Sequence, residues 1–368
     1  MKLIEPVLGQ KELDAVAEVL NSGLLTQGPK TQIFEQLVRA YSGCKYSHAT
    51  SSATTGLHLA LHSLGVGPGD EVIIPDFSFP ATANVVVQLG AVPIFVDIDI
   101  DTFNICSELI PAAITPRTKA IMPVHAFGLC ADMVTICEIA RKHDIPVVED
   151  AACALGAKIE DVHAGSFGDI GIFSFHPRKV ITTGEGGMIV TDNDELNTVI
   201  QTLRSHGSTR GSHYLEFIDA GYNYRLSDIN SAIGIVQMGR ISEILAKRQQ
   251  IADWYNELFV GNELVRTPIT PKNFTHANQS YVLLIDKNLD RNALIDNLRT
   301  VNIESTLGTY SLHLQPYFKD RFNLHDRDFP NATRAHWSAL TIPVFDRMSY
   351  SDAELIANSI ISAVKSAG

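Results

Sequence analysis

Basic residues are in short supply: Lys and Arg number 29 against 41 Asp and Glu, a formal net charge of -12. Nucleic acid and anionic membrane surfaces are both bound through clustered cations, and no run of five basic residues occurs, so neither is an expected partner. Long apolar stretches are also missing, which argues against a transmembrane helix. The start, MKLIEPVLGQKELDAV, lacks the apolar centre of a secretion signal, so a cytoplasmic location is expected. Cysteine is sparse and scattered (Cys44, Cys106, Cys130, Cys137, Cys153), with no CxxC. That pattern suits reduced thiols rather than a disulfide framework or a zinc site. His125, His163 and His206 have no HExxH or similar spacing and are expected to be satisfied turn or core histidines, with no metal bound. A GxSxG elbow is absent, as is a GxGxxG following a strand, which lowers the case for a hydrolase or an NAD enzyme. The N-x-S/T triplets at Asn273, Asn278 and Asn331 are expected to be chance.

What is present is an ordinary globular composition, 45% apolar and 19% charged over 368 residues. The length exceeds one usual core, so two domains are expected. A large one spans 1–250 and includes an N-terminal helical segment; a smaller C-terminal α+β domain spans 251–368. GQKELDAVAEVLNSG and IFEQLVRAYSG have helical spacing, with LLTQGPKTQ a loop between them. From about residue 46, strands (EVIIPD, VPIFVDID, KAIMPVHA, IPVVEDA) alternate with helices (following TSSATTG, ATANVVVQLG, DMVTICEIARKHD). This predicts an α/β fold with a mostly parallel central sheet flanked by helices. DIGIFSF and GMIVTD continue it. SDINSAIGIVQMGRISEILAKRQQIADWYNELF, with no proline, predicts one long helix; SYVLLID a strand; ALIDNLRTVNI and DAELIANSIISAVKSAG helices.

One stretch does not belong to that plain pattern. FSFHPRKVITTGEGG runs from a strand into His176-Pro177, then Lys179, two threonines and a glycine turn. A lysine is usually a solvated charge. Here it follows a strand end, where open α/β sheets collect ligands, and the glycines permit close backbone approach and positive φ. The P-loop order of Gly, Lys and Ser/Thr does not fit. A nucleophilic amine does, since a partly desolvated lysine forms imines with carbonyls. Pyridoxal 5'-phosphate (PLP) is the commonest protein-bound carbonyl of that kind. It would need a carboxylate for its ring nitrogen, an anion site for its phosphate and a side chain to stack on the ring.

Each has a candidate. Asp150 ends an apolar strand in VVEDAACALGA; it could pair with a protonated ring nitrogen or simply cap the next helix. TSSATTGLHLAL opens a helix with hydroxyls, either an anion site or a plain N-cap. Ser174, five residues before Lys179, could reach the same phosphate. Phe79 in DFSFPAT could lie on the ring or belong to the core.

With these motifs in view, the chain resembles the DegT/DnrJ/EryC1/StrS family of PLP-dependent sugar aminotransferases, within the fold-type I superfamily. The resemblance runs from about residue 3 to 366 and is carried by SGLLTQGPKTQIFE, SSATTGLHLAL, PDFSFPATAN, VVEDAACALGA, FSFHPRKVITTGEGGMIVTD, LRSHG and GYNYRLSDINSAIGIVQM. It implies that Lys179 bonds the cofactor and then acts as the acid/base. Asp150 would pair with the pyridine nitrogen, Ser174 and the backbone at Ala53 and Thr54 would hold the phosphate, and Phe79 would stack on the ring. It implies that Asn223 reaches the phosphate in the neighbouring subunit, hence a homodimer with shared active sites. The implied substrates are an amino donor, L-glutamate or L-glutamine, and a keto-sugar acceptor carried on a nucleotide. Two positions depart from the family pattern. Cys153 stands where glutamine or histidine usually meets the cofactor's phenolic oxygen, and a thiol is a weak donor. Ala53 stands where many members have glycine. Because Lys179 is present, the chain falls on the aminotransferase side rather than with the sugar dehydratases; a non-catalytic PLP-binding regulator is a further alternative. Arg178 and Arg225 could meet a diphosphate, with Arg225 expected instead in a structural ion pair, and His313 in HLQPYF borders the sugar site by the same resemblance.

Overall fold

The computed structural model describes residues 1–367. Seven strands form the central sheet in the order Tyr46–Thr50, Gly187–Thr191, Ile170–Ser174, Val148–Asp150, Thr118–Ile121, Glu71–Pro75, Val92–Val96; bridges at Ile121–Val147 and Val124–Asp150 join its two halves. Gly187–Thr191 pairs antiparallel with both neighbours, and the other pairings are parallel, so it alone runs against the rest. The sheet is therefore mostly parallel, as the alternation of strands and helices predicts.

Side chains on a strand alternate between faces, and here the alternation splits the core in two. Ile73, Ile121, Val147, Phe173, Met188 and Val190 enter one layer with Phe34, Val38, Met133 and Ile136. Their neighbours Val72, Ile74, Ala120, Val148, Ile172 and Ile189 enter the other with Leu57, Leu61, Val85 and Ile200. Helices Pro29–Ser42 and Met133–His143 thus cover one face, and Ala53–Ser63, Ala81–Gln88 and Asp194–Arg204 cover the other. A separate antiparallel sheet, ordered Val265–Arg266, Tyr281–Ile285, Ala339–Ile342, Thr306–Leu307, carries its own core between Ile251 and Val364.

Two sequence expectations need correction. The stretch expected as a loop up to Gln32 turns helical at Pro29, the first helical position, where the missing N–H costs nothing. The expected single long helix is two, Asp228–Met238 and Ile241–Leu258. The break falls at Gly239-Arg240, where the Arg240 guanidinium donates to the Val7 carbonyl at 2.7 Å and pairs with Glu12 at 2.5 Å. Gly239 keeps helical dihedrals, and it is Arg240, at φ -118° and held by two contacts to a distant segment, that ends the helix without proline.

Candidate active site

In a parallel sheet the strand ends share one edge, and the candidate residues gather at that edge. Asp150 ends Val148–Asp150, Ser174 ends Ile170–Ser174, and Ser51 and Ser52 follow Tyr46–Thr50. Gly187, which opens the antiparallel strand, lies opposite Ser174 in the register. A Cβ on Gly187 would come within 2.6 Å of the Ala53 nitrogen and the Ser52 carbonyl group. Glycine there lets the N-terminus of Ala53–Ser63 press against the sheet beside Ser174. Ser52 caps that helix by accepting from Thr55 N at 3.1 Å. The N–H groups of Ala53 and Thr54 have no protein acceptor among the described residues. The helix thus presents free donors and the positive end of its dipole next to the Ser174 hydroxyl, a ready anion site.

The loop that delivers Lys179 is braced by its own threonines. Thr182 Oγ1 donates to Phe175 O at 2.9 Å, Thr183 N donates to the same carbonyl at 2.9 Å, and Thr183 Oγ1 donates to Glu185 O at 2.8 Å. Gly184 takes φ +84°, and a Cβ on Gly186 would strike Thr183 Oγ1 at 2.3 Å. TTGEGG is therefore a folded clasp, locked from outside by Asn230 Nδ2 on Thr183 O at 2.6 Å and by Gln279 Nε2 on Arg178 O at 2.7 Å. Lys179 emerges half-buried, and its Nζ donates to Cys153 Sγ at 3.0 Å.

Asp150 is 5% exposed. It accepts from Thr82 Oγ1 at 2.8 Å and from Ala152 N at 3.2 Å. Burial pushes its carboxyl above the ordinary carboxylate range; the Thr82 hydrogen bond, the Ala152 amide and the Lys179 charge oppose this. A buried carboxylate of this kind, without an ion-pair partner among the described residues, fits a cation brought by a ligand. Phe79 lies on the turn that carries Thr82, whose N–H donates to Phe79 O at 3.2 Å; its ring is 65% exposed at the site's mouth, 6.4 Å from that of Tyr310. The donor set therefore fits PLP: free helix amides with a hydroxyl for the phosphate, a buried carboxylate for the ring nitrogen and an amine for the aldehyde.

Asn223 is exposed, between Tyr222 and Tyr224, whose stacked rings pack on His62 and His58. Arg225, expected in an ion pair, has no carboxylate within 4.0 Å among the described residues; its bridge to Thr50 puts it beside the Ser51-Ser52 turn. His313 is fully buried, held by Asp76 at 2.6 Å and stacked on Phe329, so it cannot touch a substrate. Burial raises the Asp76 carboxyl, against hydrogen bonding and charge from His313. His125 is a core histidine as expected: Nδ1 accepts from Ala131 N at 3.1 Å, so Nε2–H donates to buried Glu149 at 2.8 Å. Sequence reasoning missed Thr82, Asn230 and Gln279. Thr82 had one signal, a threonine at the second position of the helix after DFSFP; the other two had none.

Residues 6–361 match the DegT/DnrJ/EryC1/StrS aminotransferase family, and the chain belongs to it. The chain is 37% identical over 375 residues to the spore coat polysaccharide biosynthesis protein SpsC of Bacillus subtilis, covering 98% of this chain and 96% of that one. The fold superposes on the aminotransferase TlmJ of Streptoalloteichus hindustanus with a TM-score of 0.94 at 32% identity, covering 100% and 99% of the two chains. It superposes on the PLP form of Spr1654 from Streptococcus pneumoniae with a TM-score of 0.95 at 28% identity, again over 100% and 99%. The protein is a PLP-dependent aminotransferase of the sugar aminotransferase family. No helix among the described residues is long and apolar enough to cross a membrane.

Proposed function

We propose that the enzyme moves an amino group from L-glutamate or L-glutamine to the keto group of a nucleotide-linked keto-sugar. The observation that carries this is the meeting, at one sheet edge, of an amine (Lys179), a buried carboxylate (Asp150) and an anion site (Ser174 with the Ala53 and Thr54 amides). PLP, when bound, supplies an electron sink. Asp150 holds a proton on the ring nitrogen, and the low-dielectric setting strengthens that pairing. Ser174 and the helix amides fix the phosphate. Phe79, exposed on the turn that carries Thr82, would stack on the ring. Lys179 would hold the cofactor covalently, and its Nζ, when free, would serve as the acid and base that moves a proton at the substrate carbon.

Arg225, without a carboxylate partner and next to the phosphate turn, is suited to a substrate diphosphate, whose binding energy would orient the distant keto carbon. Asn223, exposed on its own chain, would complete the phosphate site of a second copy in a homodimer. The test is the visible absorbance of the PLP-loaded protein beside Lys179→Ala, before and after L-glutamate or L-glutamine. The wild type should show a band that the donor bleaches, and the variant should not. Keto-sugars are then scored by mass spectrometry for conversion to the amine. A band that no donor alters would sink the aminotransfer reading.

A further inference from the structure

Five cysteines offer five thiols, and the structure sets one apart. Burial pushes the Cys44 thiol up to about 11, with nearby Asp192 and Glu149 adding to the effect. Burial likewise raises Cys106 and Cys137 to about 11 each, helped by Glu108 for the first and by Glu149 and Asp169 for the second. Cys130 is also raised by burial. Oxidants attack the thiolate, so these four are poor targets. Cys153 is half-buried and, among the described residues, faces no carboxylate in hydrogen-bond range; its sulfur contacts the Lys179 amine at 3.0 Å. That distance is within reach of a bond between the two side chains. The loop holding Lys179 is clasped at Thr182, Thr183 and Arg178, so the contact is built into the fold.

We propose that Cys153 and Lys179 form a reversible oxidative cross-link in the cofactor-free chain. Hydrogen peroxide oxidises the Cys153 thiol to a sulfenic acid and is reduced to water. Lys179 Nζ, once it has given its ammonium proton to solvent, attacks that sulfur: an S–N bond forms, the S–O bond breaks, and the hydroxyl leaves as a second water with one amine proton. Nitrogen nucleophiles trap sulfenic acids in this way, and a thiol reductant reverses the product. The cross-linked lysine cannot bind an aldehyde, so oxidation closes the empty site to PLP. PLP bonded to Lys179 occupies the same amine and prevents the link. The bond depends on the 3.0 Å contact and not on amino transfer, so it stands or falls separately from the substrate reading.

Cofactor-free and PLP-loaded protein are each treated with hydrogen peroxide and digested without reductant, and the peptides are weighed. The expected result is a linked pair joining the Cys153 and Lys179 peptides, two hydrogens lighter than their sum, in the cofactor-free sample alone. Cys153→Ser should lose it completely, and dithiothreitol should reverse it. PLP uptake, read by absorbance, should fall at least about tenfold after oxidation and recover with reductant. In Lys179→Arg, dimedone should instead trap a sulfenic acid on Cys153. An unmodified Cys153, its sulfinic acid without the link, or a link that persists in PLP-loaded protein would each overturn the proposal.

Discussion

The Thr82 hydroxyl donates to Asp150 Oδ2 at 2.8 Å and lies 2.8 Å from Ser78 Oγ. Its single proton goes to the carboxylate, so Ser78 must donate to Thr82, and the three groups form a directed chain ending on the buried charge. Thr82→Val keeps the shape and removes the donor. Hydrogen bonds to charged groups contribute about 1.5–3 kcal/mol, so PLP affinity should fall by about tenfold or more in a cofactor titration. An unchanged Kd would detach Asp150 from cofactor binding.

Asp150 also sets a pH dependence. Its carboxyl is raised by burial, so between the ordinary carboxylate pKa and the raised one the folded chain holds more protons than the unfolded chain. Stability then falls as pH rises through that window and stays reduced above it. Asp150→Asn removes the buried charge. The cofactor-free variant should melt about 2 °C or more above wild type at pH 7–8, and the gain should vanish below about pH 4, where both are neutral. PLP binding should weaken in the same variant, because the ring nitrogen loses its partner. A variant less stable than wild type at pH 8 would contradict this account.

Glycines 184 and 187 make separable demands. A Cβ on Gly184 meets only Asn230 Nδ2, at 3.6 Å, but its φ is +84°. Gly184→Ala should therefore cost about 1–2 kcal/mol of stability through the backbone alone, with PLP still bound. On Gly187 the Cβ meets backbone of Ser52 and Ala53 at 2.6 Å, which cannot yield as a side-chain tip would. Gly187→Ala should push the helix N-terminus off Ser174 and lower phosphate affinity as well as stability. Denaturation and PLP titration together distinguish the two; equal losses in both assays would refute the distinction.

This contrast marks what could be read in advance. Lys179, Ser174 and the glycine turn lie within fifteen residues, and strand alternation with turn chemistry is local, so the chain spelled out their placement at a strand end. Asp150 at its strand end and a hydroxyl cap within TSSATTG were legible for the same reason. Thr82 meets Asp150 across 68 residues, and Gln279 meets Arg178 across 101. No periodicity encodes such pairings. The break at Gly239-Arg240 was hidden because its cause is Val7 and Glu12, far back in the chain.

Asp228 is the plainest case of a long-range cap. Its Oδ1 accepts from Gly28 N at 2.7 Å, Thr31 N at 3.0 Å and Thr31 Oγ1 at 2.8 Å, and its Oδ2 from Lys30 N at 3.1 Å. It thus satisfies the N-terminus of Pro29–Ser42 from about 200 residues away, at the first turn of another helix. Asp228→Ala should cost about 3 kcal/mol in urea denaturation, whereas Asp228→Asn, which keeps Oδ1 as an acceptor, should cost about 1 kcal/mol. Equal losses for the two would show that packing, not capping, governs this contact.

If Asn223 serves the neighbouring copy, the active site is divided between chains, and complementation tests it. Lys179→Ala and Asn223→Ala homodimers should each be impaired, the first fully. After mixing, unfolding and refolding together, half the dimers carry one chain of each kind. In such a dimer, one site pairs an intact Lys179 with the Asn223 of the other chain and is complete; the second has lost both. Half of all dimers with one good site in two contribute about a quarter of wild-type activity, on top of the residual activity of the quarter that are Asn223→Ala homodimers, as an isologous two-fold interface requires. If instead both residues served the same site from one chain, each mixed dimer would hold one site lacking Lys179 and one lacking Asn223. Activity would then stay at the average of the two parents. The two arrangements therefore differ in a single number, the activity of the mixture relative to that average.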